Sequence, residues 1–153
     1  MPMPPTDAGV SLFFREGPIE LGSSRSELEA RLGGPDSVHA HTVSNRHDPT
    51  VTDSVLTLYY AGLVAEIHRA GYDGKEILAS VVISDGRFLQ PGAPVRPGQD
   101  SDAVRAALGE PDESDADMML YVCDECLVAG QETVRFIMER DTVRRVEVRY
   151  WVD

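Results

Sequence analysis

The chain has 153 residues, 42% hydrophobic and 7% aromatic, enough for one ordinary domain or two small ones around a Val, Leu, Ile and Ala core. Its 26 Asp and Glu against 14 Lys and Arg give a net charge of −12, which excludes the clustered cations that nucleic acid or an anionic membrane surface requires. No apolar run approaches the roughly 18 residues that span a bilayer, the N-terminal residues lack the basic and apolar regions of a secretory signal, and two cysteines make no disulfide framework, so a cytoplasmic location is expected.

Residues 1–9 are Pro-rich and are expected to be disordered. Val10 to Arg15 reads as a short strand or leading segment. Gly17-Pro18 is a turn, and Ile19 to Leu21 is a short extended piece. A helix follows, with Ser24 as N-cap and Glu27 three residues on, the capping-box pattern. Leu28 and Leu32 share its apolar stripe, and Gly33-Gly34-Pro35 ends it. Beyond this helix the apolar period changes from 3.6 to 2. Ser37 to Val43, Val55 to Tyr60, Leu63 to Arg69 and Ile77 to Ser84 read as strands. Asn45 to Asp53 is a polar loop, and Ala61-Gly62 and Tyr72-Asp73-Gly74 are hairpin turns. The segment 90–97 is a Pro-rich linker, stiff and extended. A second helix is capped by Asp100, striped by Val104 and Leu108 and ended by Gly109 and Pro111. Strands are expected at Met118 to Cys123, Thr133 to Glu139 and Val143 to Val152, with Arg140-Asp141 as the last tight turn. In that last strand Val146, Val148 and Tyr150 share one face.

The two helix regions are related. PIELGSSRSELEARLGGPD from Pro18 and PVRPGQDSDAVRAALGEPD from Pro94 align without a gap at an offset of 76 residues. Pro18/Pro94, Gly22/Gly98, Ala30/Ala106, Leu32/Leu108, Gly33/Gly109, Pro35/Pro111 and Asp36/Asp112 are identical pairs. A unit used twice specifies the architecture before any propensity is counted. The expected fold is α+β: two tandem helix-plus-antiparallel-sheet repeats, 10–89 and 98–153, forming one curved sheet with helices on one face.

This unit, a glycine, a capped helix, Leu-Gly-x-Pro-Asp and then several strands, resembles the beta-lactamase inhibitory protein fold, shared with outer-membrane assembly lipoproteins of the SmpA/OmlA type. The resemblance runs from about Ile19 to Asp153. It implies two units whose sheets make one concave, protein-gripping face. The chain lacks the disulfide in each unit and the lipidated N-terminal cysteine of those families, so only the fold and the protein-binding face carry over. Small acidic immunity proteins built around a sheet work in the same way, by covering a toxin.

Chemistry-bearing residues are few. Cys123-Asp124-Glu125-Cys126 is a lone CxxC. A zinc site needs about four ligands, and His39 and His41, two apart on one strand face, are the candidates to complete it. The alternative is a solvent-side turn with two free thiols. Asp124 and Glu125 oppose the low thiol pKa that a redox pair needs. No nucleophile elbow or Gly-rich phosphate loop is present. Asp112, Glu113, Asp115 and Asp117 lie in a polar loop and suit a charged rim for a basic partner. Tyr59, Tyr60, Tyr72, Tyr121, Tyr150 and Trp151 are candidate interface anchors. Adjacent strand residues face opposite ways, so one of Tyr59/Tyr60 and one of Tyr150/Trp151 belongs in the core.

The expected function is non-enzymatic: an inhibitor, of immunity type in its sharpest form, that neutralises a basic partner toxin or enzyme by covering it. No cofactor, nucleic acid or membrane is expected, and the free chain is expected to be a monomer. Two alternatives stand beside this: an accessory or assembly factor of a larger complex, and a Cys-based metal-binding protein.

Overall fold

A computed structural model of the chain describes residues 7–123 and 132–150. Three helices, α1 (Asp7–Glu16), α2 (Arg25–Leu32) and α3 (Ser101–Leu108), accompany eight strands. The strands are β1 (Ser37–Ser44), β2 (Thr52–Tyr60), β3 (Leu63–Arg69), β4 (Glu76–Ile83), β5 (Glu113–Ser114), β6 (Met118–Cys123), β7 (Glu132–Glu139) and β8 (Thr142–Arg149). All eight form one antiparallel sheet in the order β1-β2-β3-β4-β8-β7-β6-β5. The fold is α+β with an open eight-stranded antiparallel sheet. Each meander runs inward from its edge, so the last strands, β4 and β8, meet in the middle over the short ladder Ser80↔Arg149 to Ile83↔Val146.

The capped helices form as their sequences dictate. Ser24 Oγ accepts from the Glu27 amide, and Asp100 accepts from Ala103. Each supplies an acceptor to a helix amide that has no carbonyl partner. Gly33 and Gly109 close the helices at φ of 82° and 80°, a region open to glycine at little cost. Val10 to Arg15 is helical and not a strand, and Asp7 to Gly9 belong to the same helix and are not disordered; residues 1–6 lie outside the described region. Val10, Phe13 and Phe14 stand at i, i+3 and i+4, which puts them on one helical face. Phe13 is fully buried, edge-on to Phe136 at 5.5 Å, and α1 packs against β6 and α3.

The core lies along alternate strand positions. Leu56, Leu58, Leu63, Ala65, Ile67, Val81, Ile83, Val146, Val148, Val134, Phe136, Met119 and Tyr121 join Leu28, Val104 and Leu108 of the capped helices in one buried cluster. The Pro-rich segment is part of this body. Val95 is fully buried. Gln90 donates from its amide to Gly17 and from Nε2 to the carbonyls of Arg15 and Pro18. The Arg96 guanidinium donates to the carbonyls of Gly86 and Gln90.

Candidate functional site

The face of the sheet opposite the core positions is the main candidate surface. Registers define it. One row crosses from edge to edge as Ser37, Tyr59, Val64, Val82, Glu147, Arg135, Leu120 and Glu113. The next runs His39, Thr57, Glu66, Ser80, Arg149, Thr133 and Val122. Directly opposed residues share a face, so both rows point away from the core. Val64, Val82, Leu120 and Val122 are half-buried, and Arg135 and Arg149 are exposed. A shallow cavity of about 100 Å³ lies at the centre, lined by Ser80, Val82, Thr133, Arg135, Glu147 and Arg149.

The charge of this face differs from that of the chain. Arg135, Arg145 and Arg149 share the face with Asp53, Glu66, Glu113 and Glu147, and Arg145 lies 3.6 Å from Glu147. The acids that make the net charge −12 sit largely on loops and helices. The result is a sheet face close to neutral with an acidic surround.

At the β1–β2 end a cavity of about 600 Å³ opens between the 45–51 and 70–75 loops, with Val55, His68 and Ile77 among its lining. Asp53 ties the loops together: its two carboxylate oxygens accept from Asn45 Nδ2 and from the Gly71 amide, each at 2.9 Å. Asn45 Oδ1 accepts from the amides of His47 and Asp48. The hydroxyl and amide of Thr50 hold the Asp48 carboxyl below its ordinary range. A loop whose carboxylates are engaged in this way is a shaped rim. Sequence reasoning passed over it as polar; the signal lay in Asn45, Asp48 and Asp53, side chains that hydrogen-bond nearby backbone.

The aromatics divide. Tyr59 is 41% exposed on the outer face and Tyr72 is 74% exposed on the 70–75 loop. Tyr60 packs against the core and donates its hydroxyl to the Gly33 carbonyl at 2.8 Å. Tyr121 is not an anchor: it is fully buried, in phase with Met119 and Cys123, and donates to the Gly109 carbonyl at 2.7 Å. Tyr150 lies on the core side, edge-on to Phe14 at 6.3 Å, and burial pushes its hydroxyl up to about 12. Trp151 lies outside the described residues.

The acidic segment is not one loop. Glu113 and Ser114 form β5, which pairs with Leu120 and Met119. Asp112 accepts from the Val122 amide, and Asp115 from those of Asp117 and Met118. Glu113 marks the outer edge of the sheet face, while Asp115 and Asp117 line a cavity beside Ser101 and Arg105 of α3. Tyr59 and Glu113 share a row but stand six strands apart, about 29 Å. The candidate anchors and acids therefore form no single cluster.

The cysteine–histidine grouping is also taken apart. His39 and His41 sit on the outer face of β1 with ring centroids 6.0 Å apart, while Cys123 is fully buried on the core side of β6. Six strand spacings, about 29 Å, separate them. Cys123 is disulfide-bonded, not a free thiol, and Cys126 lies outside the described residues. Among the described residues no group of three or more His, Cys, Asp and Glu is arranged to hold a metal ion, and no helix is long and apolar enough to cross a membrane. Compared with protein-family models, curated proteins and solved structures, the chain matches none.

Proposed function

We propose that the chain is a non-enzymatic protein-binding inhibitor of the immunity type, which covers a partner toxin or enzyme with the outer face of its sheet. The observation that carries this reading is the central row of that face. Half-buried Val64 and Val82 on one side and Leu120 on the other flank Glu147 and exposed Arg135 at a shallow depression. Apolar ground crossed by arginine is the composition of interface centres. The net charge of −12 draws a basic partner from a distance. The arginines then receive carboxylates or carbonyls of that partner at close range.

The same reading takes the two halves as copies of one unit, with the helices on the side away from the partner. Four shared devices support it. The caps Ser24 and Asp100 correspond. Gly22 and Gly98 both have positive φ. Tyr60 and Tyr121, each in the second strand of its half, donate to the helix-ending glycines Gly33 and Gly109. Asp36 and Asp112 donate their amides to Tyr59 and Leu120, the residues opposite the start of β1 and β5. A cytoplasmic location belongs to the reading, and thiol trapping in whole cells, which reads the state of Cys123 there, tests it.

Affinity capture from host cells, once with the chain and once with Arg135→Glu/Arg149→Glu, tests the function. Both arginines are exposed, so the variant should keep its thermal midpoint. The chain is expected to hold one protein in a one-to-one ratio, and the variant to bind it at least about tenfold less tightly. Recovery of a multi-subunit assembly moves the reading to an accessory factor. A partner held equally by the variant removes the outer face from consideration.

A further inference from the structure

The two edges of the sheet are built differently. β5 is two residues long, and one of the two is Glu113. Short edges, charges and prolines are how natural sheets block edge-to-edge pairing. β1 has none of these protections. It is eight residues long, exposed throughout, and pairs with β2 in unbroken register from Ser37↔Tyr59 to Ser44↔Thr52. Its sequence, SVHAHTVS, has no Asp, Glu, Lys, Arg, Pro or Gly.

The ladder shows which backbone groups are unpartnered. The Asn45 amide donates to Val51 at 2.9 Å, one step beyond the last registered pair. Hydrogen-bonded residues alternate along an antiparallel strand. The odd-numbered residues therefore face β2 with their amides and carbonyls, while Val38, Ala40, Thr42 and Ser44 direct theirs to the open edge. Among the described residues no backbone partner meets them there.

We propose that two copies of the chain pair β1 against β1, antiparallel about a two-fold axis at Ala40, into one continuous sheet. The strand is self-complementary about that residue. Ala40 meets Ala40 of the second copy, and Val38 meets Thr42, both β-branched. Each of these pairs exchanges two hydrogen bonds from the outward groups. His39 meets His41 of the second copy on the outer face. Charge selects the orientation. Asp36 precedes the strand and Arg46 follows it, so antiparallel pairing sets opposite charges beside each other at both ends and parallel pairing sets like charges. The strand itself is uncharged in a chain of net charge −12, so the copies meet at this edge without repulsion between its side chains. The two-fold axis stands perpendicular to the sheet and keeps both outer faces on one side. A joint of seven residues buries less than the roughly 1,200 Å² of a standard interface, so the dissociation constant is expected on the order of 10 μM.

Sedimentation equilibrium of the full chain between about 1 and 300 μM reads the affinity. A monomer–dimer equilibrium in this range is expected. Ala40→Lys sets two ammonium groups face to face at the axis and is expected to weaken the dimer at least about tenfold, with an unchanged thermal midpoint because residue 40 is exposed. Register is read by mixing His39→Cys with His41→Cys under mild oxidant. The mixture is expected to give a covalent dimer faster than either variant alone, because residues 39 and 41 oppose each other only between copies. A chain that stays monomeric throughout the range, a dimer that withstands Ala40→Lys, or cross-linking no faster in the mixture than in either variant alone overturns the proposal. The outcome is independent of the partner assigned to the outer face.

Discussion

Tyr121 shows what one side chain contributes. Its ring fills the core edge-on to Phe136 at 5.9 Å, and its hydroxyl reaches the carbonyl that ends α3. Removing the hydroxyl leaves that carbonyl without its partner while the ring stays in place. Tyr121→Phe is therefore expected to destabilise the fold by about 1–2 kcal/mol, read by urea denaturation at constant m-value. The related bond from Tyr60 to Gly33 is exposed, and Tyr60→Phe should cost distinctly less. The sequence places Tyr121 on an alternating strand but not on a side. Its phase with Met119 and Cys123 identifies the core face only once a helix is known to cover them. Tyr59 and Tyr60 were separable for the opposite reason, since neighbours on a strand must diverge whichever side is buried.

Turns and caps were the most legible elements. Gly62 joins β2 to β3 at φ 92°, and a Cβ there would stand 2.5 Å from Cβ of Asp85. Gly62→Ala combines an unfavourable φ with that overlap and is expected to cost about 2–3 kcal/mol in thermal or urea unfolding. Arg140 and Asp141 both take positive φ, 52° and 60°, the geometry that matches a tight turn to the twist of its strands. The capped helices were readable because their signals are local: an acceptor side chain before the first turn and a glycine after the last. Helix α1 also has Thr6 before Asp7 and Gly17 after Glu16 in the sequence, but its run of Leu12, Phe13 and Phe14 has the composition of a strand and hides them. β5 was unreadable because two residues hold no period. The meeting of β4 with β8 joins residues such as Ser80 and Arg149, and nothing local to either segment announces its partner.

At the scale of the whole molecule, pH acts through buried phenols. Burial raises the hydroxyl of Tyr150 to about 12 and pushes that of Tyr121 higher still. Both are protonated in the folded state well above the value near 10 that they take when unfolded. Their contribution is intact below about pH 10 and is lost as the pH rises through the folded-state values. Unfolding free energy should hold level up to about pH 10 and then fall steeply, with the tyrosinate absorbance of the two buried phenols appearing together with unfolding. An absorbance rise of all five tyrosines well before the loss of structure contradicts this. The sheet order carries a further consequence, for synthesis. β8 is the last described strand of the chain, yet it occupies the middle of the sheet between β4 and β7. A ribosome delivers the chain from its N-terminus, so until Arg149 has emerged the nascent protein is two half-sheets with β4 and β7 as raw edges. Apolar Val81 and Val134, fully buried in the finished protein, then stand on open borders. The emergence of β8 is what welds the sheet shut, and the interval before it is when the chain most depends on chaperones.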